Sequence, residues 1–199
     1  MTGMCWWRFW RRAGGAGCGW RAMAWLVGAA ALVALRVPRT ADLTAEFPQH
    51  SPTTLAHFLA DFTNHPKLYA HLSGAWWIED ELNNMTSWRY VVGYACGARC
   101  RGRVVVEHAT LAPDAHRLTL SDARCTHLPL LPWPHICEYT DVKSVITARG
   151  GGGARLQEEA RSHCGLPALF GAAGGCFPDA ARRQHLRALR DALAAADSK

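Results

Sequence analysis

The sequence predicts an α+β domain: one antiparallel sheet of about seven strands, with two short helices after the first strand and a long helix near the C-terminus. Three observations predict it. Apolar residues recur with period two between residues 75 and 164, interrupted by turn residues. Ser51-Pro52 opens a stretch of helical spacing, and Leu186, Leu189 and Leu193 form an apolar stripe downstream of Pro178.

The elements follow in order. Residues 42–47 alternate Leu43, Ala45 and Phe47 against Thr44 and Glu46, a first short strand after Pro38. Ser51 is a helix cap with proline at the first helical position, and Leu55, Phe58, Leu59 and Phe62 follow at helical spacing. His65-Pro66 ends that helix, and residues 67–72 give a short second one before Ser73-Gly74. Residues 75–82, 87–96, 99–111, 115–125, 136–149 and 154–164 read as strands, the last pair joined by a glycine turn at 150–153. The closing helix places its leucine stripe inward and Arg182, Arg183, Arg187 and Arg190 outside. No internal repeat is visible.

Composition is that of a globular protein, 49% hydrophobic and 19% charged over 199 residues. The net charge of +6 is unevenly placed: residues 1–41 hold six arginines and no acid, which leaves 16 basic and 16 acidic residues in 42–199. A neutral body argues against nucleic-acid binding, which needs cations concentrated on the domain that meets the phosphates. The charge belongs to an address or anchor, and the chain divides into a basic leader, 1–41, and a neutral body, 42–199.

Residues 22–35 form an uncharged apolar run between Arg21 and Arg36. Fourteen residues is short of the roughly 20 that a spanning helix uses, and small residues are poorly placed for signal cleavage. The leading expectation is an uncleaved signal-anchor with the body in the secretory lumen or outside, since four arginines precede the run and two follow it. A mitochondrial presequence and a cytosolic protein on a membrane surface are the alternatives.

The body holds six cysteines as three pairs flanking turns or loops: Cys96 and Cys100, Cys125 and Cys137, Cys164 and Cys176. All could close as local disulfides, which would imply an oxidising compartment, or serve as small buried hydrophobes. Asn84-Met85-Thr86 is a glycosylation sequon that agrees with a lumenal body.

The order of elements resembles the START-like (SRPBCC) superfamily, the helix-grip fold of polyketide cyclase-like proteins, coenzyme Q-binding proteins and the birch pollen allergen. The carrying residues are 46–72, with Phe58, Phe62, Asn64, Pro66 and Tyr69, then 88–111 and 166–196, so that the resemblance covers roughly 42–197. It implies a curved sheet around the last helix, enclosing an apolar cavity that binds or carries a sterol, phospholipid, quinone or polyketide. The inward faces then supply the lining: Trp88, Tyr90, Val92 and Tyr94; Val104, Val106 and His108; and Leu186, Leu189 and Leu193. Tyr90, Tyr94 and His108 are its candidate polar groups, or else core residues with locally satisfied tips.

Residues 125–137 are a palindrome of residue types about Leu131. A hairpin centred there sets Cys125 opposite Cys137 and His127 opposite His135. Those four side chains could hold zinc, the cysteines could form a disulfide, or the thiols could stay unpaired. Between them Leu128, Leu130, Leu131 and Trp133 make an apolar loop stiffened by three prolines, a contact surface for a bilayer or a cavity mouth unless it folds back. Residues 165–175, with Leu166, Leu169, Phe170 and four glycines, could gate the cavity beside the last helix or serve as a loose connector.

No nucleophile elbow, phosphate-cradling loop, zinc-protease helix or nucleotide fingerprint is present in the sequence. Glu79-Asp80-Glu81 reads as a solvated run, and His57, His65 and His71 are too far apart for a one-face metal pair. The expectation is a carrier or sensor of a hydrophobic small molecule or lipid at a membrane, with no cofactor. A cyclase or hydratase using Tyr90, Tyr94 or His108, and a protein-binding adaptor, are the alternatives.

Overall fold

The computed structural model describes residues 36–72, 74–84, 86–127, 135–165 and 178–197, together with positions 24 and 28. Seven strands form a single antiparallel sheet: β1 (Arg36–Phe47), β2 (Trp76–Asn83), β3 (Ser87–Gly97), β4 (Cys100–Ala112), β5 (Ala115–His127), β6 (His135–Ala148) and β7 (Ala154–Gly165). Their order across the sheet is β1-β7-β6-β5-β4-β3-β2. Strands β2 to β7 are therefore one continuous meander, and β1 returns to close on β7. Among the described residues of the body, the helices are α1 (Pro52–Ala60), the single-turn α2 (His65–Leu68) and α3 (Pro178–Asp197). This is the α+β, helix-grip arrangement that the element order predicts.

Local chemistry fixes the helix starts. Ser51 Oγ accepts from the Thr54 amide at 3.1 Å while Pro52 fills the first helical position, where a missing N–H costs nothing. Asp61 repeats the device after α1, capping the 3-10 turn Phe62–Asn64, its carboxylate accepting from the Thr63 amide at 2.9 Å. Residues 67–72 are not one helix: α2 ends at Leu68, Tyr69 is extended with φ −130° and ψ 108°, and a 3-10 turn spans Ala70–Leu72.

The core lies between the inner sheet face and the helices. Alternate residues of β3 (Tyr90, Val92, Tyr94), β4 (Val104, Val106) and β7 (Leu156, Ala160) are buried against Leu55, Leu59 and Phe62 on one side and Leu189 and Leu193 on the other. Leu55, Ile146, Leu156 and Leu189 are fully enclosed, each worth about 1.5–3 kcal/mol of burial. Gly102 stands opposite Tyr94, and a Cβ there would run into the phenol ring, so the tyrosine lies flat over β4 only because Gly102 has no side chain. Positive-φ glycines Gly151, Gly152 and Gly153 make the β6–β7 turn.

Two expectations are corrected. The first strand begins at Arg36 rather than at residue 42, pairing back to Gly165. Pro38 does not end it, because β1 is an edge strand and a missing donor is tolerated there. Arg182 is not on the outer face of α3; it is buried beside Glu158, for which the leucine stripe gives no sign. No helix among the described residues is long and apolar enough to cross a membrane, and the run 22–35 lies outside them apart from Ala24 and Gly28.

Candidate ligand cavity

A cavity of about 330 Å³ opens between the inner sheet face, the α2 turn and the first half of α3. That volume is at the small end of known ligand pockets, on the order of 300–1,000 Å³. Its apolar wall is Leu68, Leu72, Val104, Leu120 and Ala160. Its polar wall comes from β5, β6 and β7 (Asp122, Arg124, Glu138, Thr140, Ser162), from the α2 turn (Tyr69, His71) and from α3 (Arg182, Gln184, His185).

Strand parity builds the polar wall. Leu118 and Leu120 are buried on the inner face of β5, and the same parity carries Asp122 and Arg124 onto the rim. Asp122 Oδ1 accepts from the Tyr94 hydroxyl at 2.7 Å, and its Oδ2 faces His71 Nε2 at 3.5 Å. Burial and the neighbouring Asp122 charge both hold the Tyr94 hydroxyl above its ordinary pKa, so it remains a donor. Arg124 ion-pairs with Glu138 directly across the β5–β6 ladder. Next to them Cys125 and Cys137 are joined as a disulfide, Cα atoms 4.0 Å apart, which pins the register that sets Arg124 opposite Glu138.

Beneath the cavity lies a buried polar cluster. Glu158 on β7 accepts from Ser144 Oγ at 3.2 Å and lies 3.7 Å from both Arg182 and His185. Burial pushes the Glu158 carboxyl up, but the adjacent His185 and Arg182, each 3.7 Å away, outweigh it and hold the pKa below the usual value. Tyr69 stacks on His185 with ring centroids 4.8 Å apart, and Arg182 lies over the same tyrosine. The cluster ties α3 to β7 and to the α2 turn.

Of the ten lining residues expected from sequence, Val104 alone lines this cavity. Tyr90, Val92, Tyr94, Val106, Leu189 and Leu193 are buried in the core, with Trp88 and Leu186 packed against it. The Tyr90 hydroxyl donates to the Ala60 carbonyl, behind the cavity. His108 is also buried, stacked on His116 under α1 with Nε2 to Nδ1 3.2 Å, and His57 sits edge-on at 5.9 Å. The acid–base roles considered for Tyr90, Tyr94 and His108 thus fall on side chains that do not line the cavity. The missed residues, His71, Asp122, Arg124, Glu138, Arg182 and His185, were open to detection only at β5, by continuing its inward parity.

Cys96–Cys100 and Cys125–Cys137 are disulfides; Cys176 and the Cys164 side chain lie outside the described residues. The disulfide uses both sulfurs that the zinc reading required, so Cys125, His127, His135 and Cys137 are not a zinc set, although His127 and His135 do pair in register. The apolar loop with Leu128, Leu130, Leu131 and Trp133, and the segment with Leu166, Leu169 and Phe170, lie outside the described residues. Asn84 is exposed at the β2–β3 turn. Glu79 and Asp80 are ion-paired with Arg103 and Arg89, and Glu81 accepts from Trp88 Nε1 at 3.0 Å, so the acidic run is partnered across strands.

The sequence matches no protein-family model and no curated protein. Among solved structures it is similar to the Mll3558 protein of Rhizobium loti, at 18% identity and a TM-score of 0.47 over 81% of this chain and 98% of that one. It is also similar to a conserved protein of Geobacillus kaustophilus, at 11% identity and a TM-score of 0.42 over 79% of this chain and 95% of that one. A third similar structure is Ara h 8.0201, at 15% identity and a TM-score of 0.39 over 79% of this chain and 99% of that one.

Proposed function

We propose that this chain is a START-like carrier or sensor that holds a small amphipathic molecule between its sheet and α3. The observation that carries the reading is the cavity itself, apolar along Leu68, Leu72, Val104, Leu120 and Ala160 and polar along β5, β6 and the α2 turn. Such a division suits a ligand with an apolar body and a hydrogen-bonding end. The site of action in this proposal is a membrane facing an oxidising lumen. Two cystines and the arginine-bracketed run 22–35 support that placement, and a mitochondrial address is its competitor.

The test is native mass spectrometry of the full chain made in eukaryotic cells, before and after organic extraction. A removable adduct is expected on the unsubstituted chain and not on Leu120→Trp, whose larger side chain fills the cavity; its melting curve serves as the folding control. A chain without adduct that also fails to bind an uncharged fluorescent probe would overturn the reading.

A further inference from the structure

Each formal charge on the cavity wall already has a partner within the protein. The formally charged lining residues are Asp122, Arg124, Glu138 and Arg182. Arg124 is paired with Glu138, Arg182 lies 3.7 Å from the buried Glu158, and Asp122 accepts from Tyr94 and faces His71. At the exposed pair, a ligand carboxylate on Arg124 would have to displace Glu138, and an ammonium on Glu138 would have to displace Arg124. Either exchange leaves a charge unpaired in a partly buried site, which is costly. Neutral hydrogen-bonding groups remain for a ligand on the same wall: Thr140 and Ser162, whose hydroxyl oxygens are 3.3 Å apart, and Gln184.

Resting on the cavity reading above, we infer that this protein selects charge-neutral amphipathic ligands ending in an alcohol or amide, and that the Arg124–Glu138 pair is what rejects carboxylates and amines. Arg124 and Glu138 are the residues able to do this. Their side chains are 30% and 29% exposed, within a ligand's reach, whereas the Glu158 and Arg182 side chains are almost fully enclosed. The adjacent Cys125–Cys137 disulfide keeps the two opposite one another, so the pair cannot slip apart to make room for a charged head.

The experiment uses the full chain and three ligands with one body, decan-1-ol, decanoate and decylammonium, each displacing the uncharged fluorophore N-phenyl-1-naphthylamine at neutral pH. Decan-1-ol should displace it at about a tenfold lower concentration than either ion. Glu138→Gln frees Arg124 and should bring decanoate level with or ahead of the alcohol; Arg124→Gln should do the same for decylammonium. Both substitutions are at part-exposed positions, and circular dichroism confirms folding. An ion that binds best to the unsubstituted chain, or a ranking that neither variant changes, overturns the charge-selection proposal while leaving the cavity reading intact. Failure of the fluorophore and all three ligands to bind overturns both.

Discussion

Acid should weaken this fold through His65, and the size of the effect can be worked from the structure. His65 is 1% exposed, its Nε2 bonds the Leu59 carbonyl oxygen at 2.8 Å, and its ring lies 4.7 Å from that of Phe62. Burial pulls its pKa down to about 4, the Leu59 hydrogen bond opposing it, against 6.5 in the unfolded chain. The unfolded chain therefore binds a proton below pH 6.5 while the native state refuses one until about pH 4. Stability is complete above the higher value and is lost between the two at about 1.4 kcal/mol per pH unit, about 3 kcal/mol in all. Urea unfolding of the full chain and of His65→Gln, at steps from pH 7.5 to 4, isolates the contribution. The glutamine amide can reach the Leu59 carbonyl but does not titrate. The stability gap between the two proteins should narrow by about 3 kcal/mol on acidification. Parallel pH curves would refute the reasoning. His108 and His116, both held below the ordinary value by burial and neighbouring imidazoles, lose stability in the same direction in both proteins and so cancel in the difference.

Two further outcomes follow. Gly102→Val should drive the Tyr94 ring off β4 and break its bond to Asp122, lowering stability by about 2 kcal/mol in thermal unfolding, whereas a valine at the open, exposed Gly150 should do far less. Replacing Cys125 and Cys137 together by serine opens a cross-link spanning 12 positions and should cost about 3 kcal/mol, read as a fall in denaturant midpoint that reducing agent does not deepen further at that site.

The sheet was legible because its strands are long and one-sided. β4 alternates buried Val104, Val106 and His108 with exposed Arg101, Arg103 and Glu107, a pattern that needs no tertiary information. Where the reading failed, a local rule met a tertiary exception. Pro38 looks like a break, yet β7 runs far enough to pair β1 through it. Arg182 looks like an outward residue on an amphipathic helix, yet its partner Glu158 is on a strand, and nothing near either residue announces the other. The position of the cavity is hidden from the sequence for a related reason. Large inward side chains such as Tyr90 and Tyr94 look like a ligand's surroundings, yet they fill their own space and cap their hydroxyls on Ala60 and Asp122. Empty volume arises instead where the inward positions turn polar toward the Cys125–Cys137 end of the sheet, and composition does not reveal emptiness.

The most direct measurement is nuclear Overhauser spectroscopy on methyl-labelled full chain saturated with decan-1-ol. Ligand contacts should appear at the methyl groups of Leu68, Leu72, Val104, Leu120 and Ala160, and not at Ile78 or Leu82, which are exposed on β2. Contacts confined to Ile78 and Leu82, or none at any of these methyls, would contradict a ligand seated between the sheet and α3.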